Sequence, residues 1–293
     1  MKVIYIPTVN DDVPDFVELF KIWNNVKDIR TRVEFDFSNC NFLRQNAVAF
    51  LGGLTRYLQQ RQVQVAFRLN TLRKHIHTNL RQNGFISSFY YDEGPWSGNS
   101  IPYKELVDDQ NIHKYLEEKW LGRGWVNISN ELGNAIVGKV YEIYTNAFEH
   151  SNSSVGVFTC GQRFQNLNEL KLTVVDFGHG IPKNVGDFLQ CDSISAVDAL
   201  QWAFKDGNST RLADHYRGGI GLGILKDFIE LNHGKMEVYS HNGYCLIDKQ
   251  GQNCNSINDF FDGTIVNITL RCDELYYCME NEGTFENNNF FVF

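Results

Sequence analysis

Positive charge is in short supply: 27 Lys and Arg stand against 35 Asp and Glu, for a formal net charge of -8. Phosphate backbones are gripped by clustered cations, so a protein devoted to wrapping nucleic acid is excluded. A locally basic nucleotide site is not. Long apolar runs are missing as well, and a helix needs about 20 such residues in a row to span a bilayer, so no membrane contact is expected. The opening MKVIYIPTVNDD has neither the apolar stretch nor the small-residue cleavage site of a secretory leader. Paired cysteines are absent too: Cys40, Cys160, Cys191, Cys245, Cys254, Cys272 and Cys278 are odd in number and form no C-x-x-C. They read as reduced, mostly structural thiols, not a disulfide framework or a zinc site, and a cytoplasmic protein is predicted.

What is present suffices for two cores, since 293 residues are 43% hydrophobic and 21% charged. The aromatic share of 14% is high, which means well-filled cores or a sticky partner surface. Residues Met1–Ile6, Val33–Phe37 and Val63–Phe67 have strand patterns, and helical spacing follows in Asp15–Trp23, Arg44–Gln60 and Leu72–Leu80. That order predicts an α/β layer domain over residues 1–91. DEGPWSGNSIP is rich in turn formers and is expected to be a linker over 92–102. A bridging segment, 103–128, reads as helical and acidic through Trp120, and 129–271 forms the second domain ahead of a tail, 272–293.

The second domain carries the chemistry. A long helix is predicted from Ser129, with Ile136, Val140, Ile143 and Ala147 along one face. Glu142 and Asn146 sit four apart on another stripe, where a carboxylate and a carboxamide can hold a metal ion beside a polarised water. An exposed polar helix face is the alternative. The strand LKLTVV then runs into Asp176-Phe177-Gly178-His179-Gly180, which is either a tight capped turn or a floor for a flat ligand. Further on, RGGIGLGI opens a helix, a place where backbone N–H groups face an anion closely. The strand Lys235–Ser240 follows, and no reading emerges for Asp248–Asp262.

Together E-x-x-x-N-A-x-x-H, D-x-G-x-G-I and G-G-x-G-L-G-I resemble the GHKL ATPase superfamily of gyrases and histidine kinases over about Ser129–Leu270. The resemblance implies a two-layer α/β sandwich, a mixed sheet backed by helices (the Bergerat ATP-binding fold), and ATP with Mg²⁺. It makes Glu142 the general base, Asn146 the Mg²⁺ ligand and Asp176 the acceptor for the adenine amino group. Gly178 and Gly180 would shape the pocket floor, Gly219, Gly221 and Gly223 would clasp phosphates over Leu222, and Thr264 would help bind adenine. The lid would be Asp206–Arg217, with Arg211 and Arg217 as candidates for the γ-phosphate. The spelling of these motifs is most similar to the anti-sigma-factor serine kinases.

The N-terminal segment VEFDFSNCNFLRQNAVAFLGGL, followed by VQVAF and NGF, resembles a STAS domain. Regulatory STAS domains carry a phosphorylatable hydroxyl at a position that falls here in Leu43–Ala47, where none exists. That departure implies a docking or dimerising scaffold instead of a phospho-switch. Two functions follow from the resemblance: an enzyme transferring the γ-phosphoryl of Mg·ATP to a protein hydroxyl or to water, or a silent ATP-gated interaction module. A regulatory protein partner and a homodimer are the associated expectations, with the tail aromatics Tyr276, Tyr277, Phe290, Phe291 and Phe293 available for contact.

Overall fold

Three short strands, β1 (Lys2–Tyr5), β2 (Val33–Asp36) and β3 (Val65–Arg68), run parallel in the order β1-β2-β3. Parallel neighbours need crossover connections, and helices α1 (Val13–Val26) and α2 (Gln45–Gln60) supply them. Asp12 starts α1 by a capping box with Asp15, helped by a proline in the first turn. Helices α3 (Lys74–Gln82) and α4 (Phe85–Phe89) close this unit. The computed structural model describes residues 1–205, 207–208, 223–282 and 290–292, a mixed α/β protein.

The second unit contains β4 (Ser100–Leu106), α5 (Ile112–Tyr115), α6 (Asn130–His150), β5 (Val157–Phe164) and β6 (Glu169–Asp176). It continues with α7 (Gly180–Leu189), α8 (Ala196–Ala203), α9 (Gly223–Leu231), β7 (Lys235–Asp248) and β8 (Gly251–Arg271). Ser129 caps α6 by accepting from the Leu132 N–H at 3.2 Å, where the sequence predicts that helix to begin. The strands form a five-stranded sheet, order β4-β5-β6-β8-β7, in which every neighbouring pair is antiparallel rather than mixed.

Side chains alternate across this sheet, and both sets are buried. Leu170, Leu172, Val174, Val238, Val266 and Ile268 pack with α6 and α9. The opposite set, Phe158, Cys160, Val175, Tyr239 and Ile265, belongs to one core with Phe16, Phe20 and Trp23 of α1 and Phe50 and Leu54 of α2. The sheet is therefore covered on both faces, so three layers replace the expected two. Part of the second interface is polar. Lys171, only 2% exposed, pairs with Asp11 and, at 2.9 Å, with Glu169. Gln45 at the start of α2 donates to Thr173 at 3.4 Å and Asn267 at 3.3 Å, and Asn267 donates to Glu237 at 3.0 Å.

Several expectations are corrected. The stretch 92–102 is no free linker: Asp92 pairs with Arg81 at 2.8 Å, and the Trp96 N–H donates to the Gln82 carbonyl at 3.2 Å. Ser100–Leu106 is an edge strand, not the start of a helical bridge, because Ile101 and Tyr103 alternate into the core while Tyr115 ties back to Pro102 at 2.8 Å. Helix begins only at Ile112 and passes into a π-helical turn, Leu116–Trp120. The unread stretch 248–262 is the end of a long β7–β8 hairpin. Its register sets Cys245 opposite Cys254, and a disulfide joins them, whereas Cys40, Cys160, Cys191 and Cys272 are free thiols. Strands β9 (Tyr276–Cys278) and β10 (Phe290–Val292) pair in parallel. Tyr277 is fully buried against Phe228, with ring centroids 5.4 Å apart, so this tail aromatic is core and not a contact surface. Among the described residues no helix is long and apolar enough to cross a membrane.

Candidate functional site

Strand β6 delivers Asp176 to the mouth of the sheet, in register with Thr264 on β8. The carboxylate is 4% exposed, and burial pushes its pKa up to about 7. Hydrogen bonds from the Gly178 N–H, at 2.9 Å, and from Thr264 oppose that shift without cancelling it. A buried carboxylate poised near neutrality, with an adjacent hydroxyl, can accept a hydrogen bond from a polar ligand edge. Thr264 in turn lies 3.2 Å from Ser240, its neighbour on β7.

Both glycines after Asp176 are required by space. A Cβ on Gly178 would lie 1.9 Å from the Ser151 carbonyl oxygen, so the loop and the end of α6 are in backbone contact. Gly180 has φ +73°, and a Cβ there would meet Ser240 Oγ at 2.7 Å and the Asp262 carbonyl at 2.8 Å. The His179 N–H donates to the Ser151 carbonyl at 2.7 Å, and Asn184 of α7 donates to the His150 carbonyl at 2.7 Å. His241 Nε2–H donates to the His179 carbonyl at 2.8 Å, and burial holds that imidazole below its ordinary range. These contacts join the Asp176 loop to the helix of Glu142 and Asn146.

On α6, Asn146 is half-buried and sits five residues before Ser151, about 7.5 Å along the helix axis. Glu142 is 40% exposed and bonded to Lys139 at 2.7 Å. Its carboxylate is thus engaged by a neighbour on its own helix, which a role as a base requires it to leave. Among the described residues, no group of three or more His, Cys, Asp or Glu could hold a metal ion. Mg²⁺ keeps waters and substrate phosphates as ligands and asks little of the protein, so a lone carboxamide such as Asn146 fits an ion that arrives with a nucleotide.

Gly223 opens α9. Gly219, Gly221 and Leu222 lie outside the described residues, as do Arg211 and Arg217, most of the expected lid and Phe293. The structure thus brings together Asp176, Gly178, Gly180, Thr264 and the end of the helix bearing Glu142 and Asn146.

Ser240 is the participant that the sequence did not point to. Its Oγ accepts from the Ile181 N–H at 2.9 Å and donates to the Gly263 carbonyl at 3.0 Å, linking α7, β7 and β8 behind Gly180. A strand-terminal serine has no signature of its own, and its role becomes visible only in the β7–β8 register. Beside the same loop, a cavity of about 400 Å³ is lined by Trp23, Lys27, Tyr57, Asn152, Phe177 and Asp262 among others. A scan against models of known protein families finds no match to this chain, and no curated protein matches it.

Proposed function

We propose that this chain is a GHKL-type, Mg·ATP-binding protein that transfers the γ-phosphoryl group to a protein hydroxyl or to water, with a STAS-like region preceding its nucleotide domain. One observation carries the reading: a buried carboxylate, Asp176, stands beside Thr264 over a glycine loop whose backbone abuts the helix of Glu142 and Asn146. Two sequence motifs far apart in the chain, E-x-x-x-N and D-x-G-x-G, meet in that cluster, and the third lies almost wholly outside the described residues.

In this reading Asp176 and Thr264 take the adenine edge, and the ionised carboxylate accepts from its amino group. Asn146 is the residue that would hold Mg²⁺, which supplies neutralisation of phosphate charge when bound. Glu142 exchanges its Lys139 contact for the proton of the attacking hydroxyl. Positioning and charge neutralisation are the main catalytic contributions expected of such a site.

Binding through ionised Asp176 has a pH signature. Because its pKa is raised to about 7, affinity for an ATP analogue is expected to fall as pH drops from 8 to 6. The slope should approach about tenfold per pH unit below the pKa. Isothermal titration of wild type and Asp176→Asn tests this, and a flat pH profile in the wild type counts against Asp176 as the ligand group.

The engaged state of Glu142 favours a second reading, an ATP-gated module without turnover. The two separate in one time course with γ-labelled Mg·ATP, following bound nucleotide, free phosphate and labelled protein. Turnover lost in Glu142→Ala with binding retained supports the enzyme. Tight binding without turnover in the wild type supports the module.

A further inference from the structure

The N-terminal helices grip the Asp176 loop at two points. Phe177, between Asp176 and Gly178, packs among Trp23, Phe50, Phe158 and Phe261 with ring centroids 5.3–6.0 Å away. Helix α2 makes room for it with Gly53, where a Cβ would fall 2.2 Å from the Phe177 ring. The second grip runs through Asp262, which accepts from Trp23 Nε1–H at 2.6 Å and from Lys27 at 3.0 Å. The Asp262 carbonyl abuts Gly180, and the next residue, Gly263, accepts the Ser240 hydroxyl that sits beside Thr264. Both walls of the Asp176–Thr264 pair are therefore tied to elements over a hundred residues away in the chain.

We propose that α1 and α2 hold the candidate adenine pocket in its binding shape, with Trp23, Phe177 and Asp262 as positioning residues. A shift of these helices on the sheet is then transmitted to nucleotide affinity. The inference rests on the nucleotide reading above and assigns the N-terminal region as its regulator. The physical basis is contiguous: an aromatic cage and a charge-assisted hydrogen bond each have one end on an N-terminal helix and the other on the pocket.

The test perturbs the pocket from the N-terminal side alone. Trp23→Phe keeps an aromatic ring and deletes the donor to Asp262, while Gly53→Ala adds a methyl group that meets Phe177. Lys21→Ala, at an exposed position of α1 away from the sheet, is the control. The amides of Gly178, His179 and Ile181, bonded to Asp176, Ser151 and Ser240, are read by hydrogen exchange against the amides of β6. Exchange at the three amides is expected to quicken by about fivefold or more in Trp23→Phe and Gly53→Ala, and by less than about twofold in Lys21→Ala. Affinity for a non-hydrolysable ATP analogue should fall in parallel. Equal exchange in all three variants overturns the proposal, and so does faster exchange with unchanged affinity. If the loop amides respond but even the wild type binds no analogue, the positioning stands and the nucleotide reading falls.

Discussion

On the α6 side of the five-stranded sheet, strands β6, β7 and β8 present Leu170, Leu172, Val174, Met236, Val238, Val266 and Ile268, all apolar. On the α1 side the same strands present Lys171, Thr173, Lys235, Glu237, Asn267 and Thr269 before turning apolar at Val175, Tyr239 and Ile265. Glu237 is 2% exposed, and burial raises its pKa against the opposing pull of Lys235. An apolar face tolerates many packings of similar volume. A face with fixed donors and acceptors tolerates few, because each misplaced partner leaves a buried polar group unsatisfied. We therefore expect the polar half to set where the N-terminal region docks, and the apolar half to supply most of the cohesion.

The largest effect is expected at the polar half. Lys171→Ala takes the shared, most deeply buried cation from Asp11 and Glu169, leaving each only a more exposed arginine, Arg44 and Arg271, and should cost about 3–5 kcal/mol in chemical denaturation. Adding Asp11→Asn should restore part of that loss, and strict additivity of the two changes would show that the pair is not a unit. On the apolar face, Leu172→Ala should cost about 2–5 kcal/mol by cavity formation, with one cooperative transition for the whole chain. Two separate transitions would contradict the shared core.

Asp176→Asn sharpens the contrast by acting at the end of the sheet, where burial serves the candidate site. The folded carboxyl holds its proton up to about pH 7, while the unfolded one, at the ordinary aspartate value of 3.8, releases it much earlier. Wild-type stability is thus expected to decline as pH rises from about 4 to 7. Asp176→Asn should match the wild type near pH 4 and exceed it by up to about 4 kcal/mol at pH 8, while losing nucleotide. Parallel melts at the two pH values read both halves of that expectation. The smallest effect belongs to Lys139→Ala, which breaks a half-exposed i,i+3 pair with Glu142 and should cost only about 0.2–0.5 kcal/mol. Circular-dichroism melts resolve that change, and a loss above about 1 kcal/mol would mean the pair does more than decorate the helix.

The local elements are legible along the chain. Helical spacing and the Ser129 cap predict α6, alternation predicts β6, and Asp176 and its two glycines are legible as a turn that some ligand could use. Such features depend on residues close in the chain, where periodicity and capping act. Thr264 was legible only through the resemblance, and Ser240 not at all, since each gains its meaning from a partner on another strand.

The docking of the first unit onto the second was decided by tertiary structure alone. Lys171 and Thr173 alternate with apolar residues as a solvated strand face would, and nothing local distinguishes water from Asp11 and Gln45 as their partners. The same holds for Ser100–Leu106, whose turn-rich approach hid an edge strand, and for Cys245 and Cys254, brought together by hairpin register. Long-range pairing selects among neighbours that local sequence leaves equivalent. It laid the helices of the first unit on the five-stranded sheet of the second, which is thereby buried on both faces.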